Sequence, residues 1–330
     1  MAVQRRRLPL ITLYVTERCN SRCVTCDYWR HGRVDMSAAS VLELLPSLRQ
    51  LETRVVALSG GEPLLNPEWA SIAKLLKSQG HEVWLLTSGL ALAKHARRSA
   101  ELFDAITVSM DGVNRATYAA IRGLDAFDKV CEGVRAAARE APVSLRVTLQ
   151  RRNFRELPQF VTLAKELGVR QVSFLAVDVA NTHAFGRIGD VDVDPALRAE
   201  ELEELEGILT SLERDRAEDF QSGLIAESPK KLRRILEYFG AIRGRHAYPE
   251  VRCNAPEFSA VIDARARIQP CFFIAGPKAR PMDTDVIAQL DSGPMAALRR
   301  DIRDGKRAEC TACVCSMWRE PAPAAGGEDS

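Results

Sequence analysis

Residues 8–29 read LPLITLYVTERCNSRCVTCDYW. The segment LITLYVT (10–16) is an apolar, β-branched run of strand length, and it leads directly into a loop holding Cys19, Cys23 and Cys26. A short, continuous apolar run of this kind reads as a strand buried on both faces. Five similar runs follow: RVVALSG (54–60), EVWLLTS (82–88), AITVSMD (105–111), SLRVTLQ (144–150) and QVSFLAV (171–177). Between them, SAASVLELLPSLRQL, PEWASIAKLLKSQG, LAKHARRSAELF, AFDKVCEGVRAAAREA and FRELPQFVTLAKELG carry apolar residues at helical spacing. Ser37 and Pro67 read as helix starts, and two of the five segments end in glycine, a frequent C-cap. Pro46 and Pro158 interrupt their patterns, which leaves those helix boundaries open.

Strands alternating with crossover helices imply a parallel sheet. Six such units fall short of an eight-fold barrel, so the expected fold is α/β, an open partial (β/α)6 barrel. Loops at the C-terminal ends of parallel strands gather on one rim. The three-cysteine loop, SGGEP (59–63), TSG (87–89), SMDG (109–112) and LQRRN (149–153) all follow strands and should meet there.

The 330 residues are 46% hydrophobic and 27% charged, with a net charge of +2. That balance offers no electrostatic footprint for nucleic acid. The basic start MAVQRRRLPL leads into no long apolar segment, so neither a signal peptide nor a membrane span is expected, and the protein reads as cytoplasmic. Four regions follow from the pattern: a core at 1–177, a charged helical linker at 178–250, a compact cysteine-bearing module at 251–318, and a disordered tail at 319–330. The acidic run EELEELE reads as a solvated helix face.

Nine cysteines in a reducing compartment argue for metal or redox chemistry over disulfides. Three lie near the start, five follow residue 250, and Cys131 stands alone as an inert helix residue. Zinc is the plain reading of the first trio, yet zinc sites are usually closed by a fourth ligand. A [4Fe–4S] cluster also takes four thiolates, so three would leave one iron open, an arrangement suited to catalysis.

The spacing Cys-x3-Cys-x2-Cys after a first strand resembles that of the radical S-adenosylmethionine superfamily. The resemblance implies that the open iron chelates the methionine end of S-adenosylmethionine. One electron from the cluster then yields a 5′-deoxyadenosyl radical that takes a hydrogen atom from substrate. It also implies a cofactor pocket. In SGGEP, Gly60 and Gly61 allow close backbone approach, Glu62 offers an acceptor for the ammonium, and Pro63 ends the turn. Thr87 and Ser88 stand where the family often has Thr-Asn-Gly. Ser109 or Asp111 would bond the ribose, Arg122 in YAAIRG would meet the carboxylate, and Leu175 in FLAV would flank adenine. Gln150, Arg152 and Asn153 are all candidates from the fifth strand. Thr25 replaces the family's usual aromatic residue, with Tyr28 or Trp29 available for packing. His81, His95 and His246 read as surface or helix-end residues, whereas His31 and His183 lie near the rim.

Cys253, Cys271, Cys310, Cys313 and Cys315 form the second group, and a zinc ribbon is its plain reading. Beside such a core the order is similar to the twitch or SPASM-like auxiliary module. That implies one auxiliary [4Fe–4S] cluster on Cys253, Cys271, Cys310 and Cys313. Cys315 is then left over: an alternative ligand to Cys313, a bystander, or a catalytic thiol that returns a hydrogen atom to substrate. Twitch-bearing relatives imply dehydrogenation of a small-molecule alcohol in a biosynthetic pathway, with the auxiliary cluster as electron acceptor and Arg152 or Asp178 as candidate bases. A flavodoxin- or ferredoxin-type reductant is expected, with no nucleic-acid or membrane partner. The alternatives are crosslinking or epimerisation of a ribosomal peptide, small-molecule epimerisation with a cysteine donor, and a non-catalytic zinc scaffold. Only nine residues precede the first strand, and an N-terminal peptide-recognition domain is therefore not expected.

Overall fold

The computed structural model describes residues 6–189, 192–278, 284–315 and 317–320. Six strands pair in parallel in chain order: β1 (Leu10–Thr16), β2 (Val55–Gly60), β3 (Glu82–Thr87), β4 (Ala105–Ser109), β5 (Val143–Leu149) and β6 (Gln171–Ala176). On the free edge of β1, β7 (Ser259–Ile262) adds in parallel, and β8 (Ile268–Gln269) pairs antiparallel to β7. The order is β6-β5-β4-β3-β2-β1-β7-β8, and among the described residues no ladder closes β6 onto β8. The fold is the open α/β partial barrel that the strand pattern implies.

The connecting helices are α1 (Ala38–Gln50), α2 (Trp69–Ser78), α3 (Leu92–Leu102), α4 (Arg115–Arg122), α5 (Phe127–Ala138) and α6 (Leu157–Glu166). Ser37 caps α1, its hydroxyl accepting the Ser40 N–H at 3.0 Å. Pro46 stays inside α1. The carbonyl it leaves unpaired belongs to Leu42, which is 57% exposed and can be hydrated. Pro158 lies in the first turn of α6, where no intrahelical partner is lost. The short helix α4 has no counterpart in the apolar pattern, because only Tyr118 and Ile121 of it are buried.

Strand register separates the two faces of the sheet. Val108, Leu145 and Val172 are aligned, each 0% exposed, in the main core. Ser109, Arg146 and Ser173 are aligned on the opposite face. A sheet packed on both sides would be apolar on both, so this polar inner face marks a chamber.

Beyond β6, α7 (Glu201–Asp215) buries Leu202, Leu205, Leu209 and Leu212 and leaves Glu203, Glu204 and Glu206 exposed. After α8 (Ala217–Gln221), residues 224–226 lie along β6, with Val172 N–H donating to Leu224 O and Ala226 N–H to Val172 O, at 2.7 and 2.9 Å. The chain then enters α9 (Pro229–Ile242). The C-terminal region adds α10 (Ala255–Phe258), α11 (Val286–Asp291), α12 (Gly293–Arg303) and α13 (Ala308–Thr311). Through β7, this cysteine-bearing region continues the core sheet. Of the expected tail, 321–330 lies outside the described residues, while Asn254 brackets the backbone of Arg319 at 2.7 and 2.9 Å. Among the described residues no helix is long and apolar enough to cross a membrane.

Candidate active site

The first cysteine loop is held by the helix that the apolar pattern misses. Arg22 N–H donates to Arg122 O at 3.1 Å and Val24 N–H to Ile121 O at 3.0 Å, so the loop satisfies the last carbonyls of α4. Gly123 ends that helix at φ 77°, and a Cβ there would run into the Arg22 backbone. Cys19, Cys23 and Cys26 lie close enough to act on one another electrostatically. Burial raises all three thiol pKa values, that of Cys26 to about 12, whereas the Arg122 cation lowers each. Three thiolates here therefore require compensating positive charge, which Arg122 and bound metal would supply together. Arg122 pairs with Asp111 at 3.1 Å, and both side chains are nearly buried. Asp111 also accepts the Thr148 N–H at 2.8 Å, and Arg122 Nε is buried with no hydrogen-bond partner among the described residues.

SGGEP is pressed against the start of the same loop. Gly61 N–H donates to Thr16 O and Glu62 N–H to Arg18 O, at 2.9 and 2.8 Å. A Cβ on Gly61 would collide with the Arg18 carbonyl, so only glycine permits this approach. Pro63 is buried at the start of a 3-10 turn, Pro63–Leu65. Glu62 is 0% exposed. Its carboxylate accepts from Leu64 N–H (3.1 Å), Thr87 Oγ1 (2.8 Å), Ser88 N–H (2.7 Å) and Ser88 Oγ (2.6 Å). All four acceptor positions are thus taken, and Glu62 ties the β2 rim to the β3 rim. An ammonium here would meet backbone carbonyls, such as that of Gly61, which accepts from no described donor.

The three candidates after β5 separate clearly. Asn153 knots the rim, accepting from Gln150 N–H at 2.8 Å and donating to Asp111 O and Thr148 O at 3.0 and 3.1 Å. Arg152 turns away to Ala120 O at 2.9 Å. Gln150 is 0% exposed, and among the described residues neither of its amide atoms finds a partner. Ser109 and Leu175 are half-buried on the inner face, Leu175 level with Thr148. Asp178 is buried and salt-bridged to Arg187 at 3.2 Å. His31 Nε2 lies 2.5 Å from Gly186 O, and His183 bonds Gln269, its pKa lowered by burial. His81, just past the end of α2, is buried, with a ring nitrogen 3.0 Å from Thr53 O, which fits the helix-end part of its reading and not the surface part.

Cys253, Cys271, Cys310, Cys313 and Cys315 all line one cavity of about 320 Å3. Burial pushes the Cys271 thiol up to about 12 and raises those of Cys310, Cys313 and Cys315. Cys271 senses Cys310 and Cys253, and Cys313 senses Cys271 and Cys253. Cys315 differs in facing the cations Arg146 and Lys231 as well as Cys253. Among the described residues no three His, Cys, Asp or Glu side chains converge as tightly as one metal ion requires. Five thiols spread around an open cavity fit a cluster of several irons. Cys131 is core, 3% exposed.

Tyr14 links the two groups. It is buried on the inner face of β1, its hydroxyl senses both Cys26 and Cys271, and its ring meets Tyr28 edge-on at 5.6 Å. Nothing in the apolar pattern hints at this pair.

A sequence profile described as Radical SAM superfamily matches residues 13–178, half of the chain. A probable GTP 3',8-cyclase of Saccharolobus solfataricus is 31% identical over 176 residues, covering 52% of this chain and 57% of the relative. A pre-heme d1 synthase of Dinoroseobacter shibae is 33% identical over 169 residues, covering 49% and 41%. The chain thus spans about half the length of these curated relatives, 57% of the first and 41% of the second. In fold, Streptococcus suis SuiB bound to S-adenosylmethionine aligns with 94% of this chain and 72% of its own, at a TM-score of 0.66 and 12% identity. Native anSMEcpe with bound AdoMet aligns with 88% and 82%, at 0.63 and 17%. The likeness in fold extends past β6 into the C-terminal cysteine region.

Proposed function

The chain belongs to the radical SAM superfamily, and from that premise we propose that it oxidises a small-molecule alcohol in a biosynthetic pathway, with a second iron–sulfur cluster as electron acceptor. Membership brings an enzyme with a [4Fe–4S] cluster and S-adenosylmethionine. When bound, these supply one-electron chemistry that removes a hydrogen atom from an unactivated carbon. Cys19, Cys23 and Cys26 would hold the cluster with one iron left open. The Gly60–Gly61 edge, Arg122 with Asp111, and Gln150 would face the cofactor. Cys253, Cys271, Cys310 and Cys313 would hold the second cluster. The reading is supported by Tyr14, on the inner face of β1, whose hydroxyl feels the thiols of both Cys26 and Cys271; two clusters held that near to one another would let an electron pass from substrate to the second. Two relatives named as a GTP cyclase and a pre-heme d1 synthase favour a small molecule over a peptide.

The place of Cys315 on the wall of the same cavity, beyond the four proposed ligands, supports a second reading, in which its thiol returns a hydrogen atom and the reaction is an epimerisation. After anaerobic reconstitution, about eight irons per chain are expected, falling to about four when any one of Cys253, Cys271, Cys310 or Cys313 is changed to alanine. Deuterium at the carbinol carbon of the true substrate should appear in 5′-deoxyadenosine. Zinc in place of iron, or about four irons in the unaltered protein, would end the two-cluster reading. Cys315→Ala should retain both clusters and turnover in dehydrogenation, and lose solvent hydrogen in product if epimerisation is the reaction.

A further inference from the structure

The inward positions of the parallel strands include a group of small hydroxyl residues, Ser59, Thr107, Ser109, Ser144, Thr148 and Ser173. One cation stands in their midst. Arg146, mid-way along β5, is exposed although its neighbours Leu145 and Val147 are fully buried. It is aligned with Ser109 on one side and Ser173 on the other. With the described residues its side chain forms neither a hydrogen bond nor an ion pair. The groups that feel its charge are Glu227 and Cys315, and Lys231 acts on the same two. Glu227 is engaged elsewhere, accepting the Phe174 N–H at 2.8 Å, and burial raises its carboxyl pKa, so it is a poor counter-ion.

A guanidinium is a planar fork of donors matched to carboxylate and phosphate oxygens. At a rise of about 3.3 Å per residue, Arg146 sits roughly 7 Å below Thr148 and roughly 13 Å below Gln150 at the rim. That is the depth of a small molecule lying beneath the cofactor pocket, on the side where Cys315 faces. We propose that Arg146 anchors an anionic group of the substrate, a phosphate or a carboxylate, with Lys231 adding to the attraction. The inference rests on the reading of this chamber as the substrate site. It narrows the substrate to a hydroxylated phosphate or carboxylate and disfavours a neutral or amine-bearing alcohol.

The test uses reconstituted holoenzyme with S-adenosylmethionine, titrated at constant ionic strength with pyrophosphate in one arm and citrate in the other. At least one should bind, and Arg146→Gln should weaken that binding by about tenfold or more. Arg146→Lys, which keeps the charge and loses the fork, should fall between. The bound anion should also shield Arg146 of the unaltered protein from phenylglyoxal, read by peptide mass. The stronger arm distinguishes phosphate from carboxylate. Iron content and uncoupled S-adenosylmethionine cleavage should be unchanged in Arg146→Gln, and failure of either in the unaltered protein would instead count against the radical-enzyme reading. The proposal is overturned if neither anion binds at millimolar concentration, or if Arg146→Gln binds as tightly. Unchanged anion binding with loss of iron would mean that Arg146 serves the cysteine site, which also overturns it.

Discussion

Replacing Glu62 with glutamine separates two roles for a residue that the family resemblance places against the cofactor ammonium. Oε1 receives Leu64 N–H and Thr87 Oγ1, and Oε2 receives Ser88 N–H and Ser88 Oγ. A glutamine keeps one oxygen and must turn its NH2 toward one backbone N–H, of Leu64 or of Ser88. The hydroxyls can rotate to accept, but the backbone cannot. One buried donor is then unpaired, at about 1–3 kcal/mol, and the remaining bonds lose their charge assistance, at about 1 kcal/mol more. Glu62→Gln should therefore cost about 2–4 kcal/mol, seen as a fall of several degrees in Tm. Equilibrium binding of S-adenosylmethionine should weaken in parallel as the β2 and β3 rims loosen. Unfolding and binding measured on the same reconstituted sample decide the matter. Unchanged stability with abolished binding would refute the rim-tie argument and put the carboxylate on the ammonium directly.

Gly123→Ala should dislodge the first cysteine loop, because φ 77° is strained for alanine and the new Cβ meets Arg22. Iron should fall to about half while the C-terminal cluster remains, and full iron content would contradict this. Burial raises the Glu227 carboxyl pKa above 4.5, so the fold favours its protonated form. That contribution is complete below the unfolded pKa and is lost as pH rises through the folded one. Glu227→Gln, which cannot ionise, should gain in stability relative to the unaltered protein as pH rises above the ordinary glutamate range, and a constant difference in denaturation midpoint would count against it.

The six core strands were readable because each is an apolar run whose length and spacing leave few alternatives. LITLYVT became β1 residue for residue, and the remaining five match within one or two positions at their ends. Helix α4 escaped because RATYAAIR buries only two side chains and is held by backbone bonds to the cysteine loop, which leave no periodic trace. β7 escaped because SAVI is four residues long and is a strand only by pairing with β1, some 250 residues away in the chain. At the site, the grouping of Cys19, Cys23 and Cys26 on one loop was legible because they lie close together in the sequence. The saturation of Glu62 was not, because Thr87 and Ser88 reach it from another strand. Arg146 was hidden inside a run that reads as an ordinary strand, and only register shows that it faces inward.

The pairing of β7 with β1 also bears on how this chain can be cut or recombined. The ladder holding β7 in place lies on the same strand that delivers the first thiols, so the gap between the two cysteine groups is spanned by hydrogen-bonded backbone, not by a tether whose length can drift. A fragment ending near residue 250 would strip β1 of that neighbour and leave its backbone groups as an adhesive margin. Grafting a foreign C-terminal region would succeed only where the donor brings a strand that docks there in register.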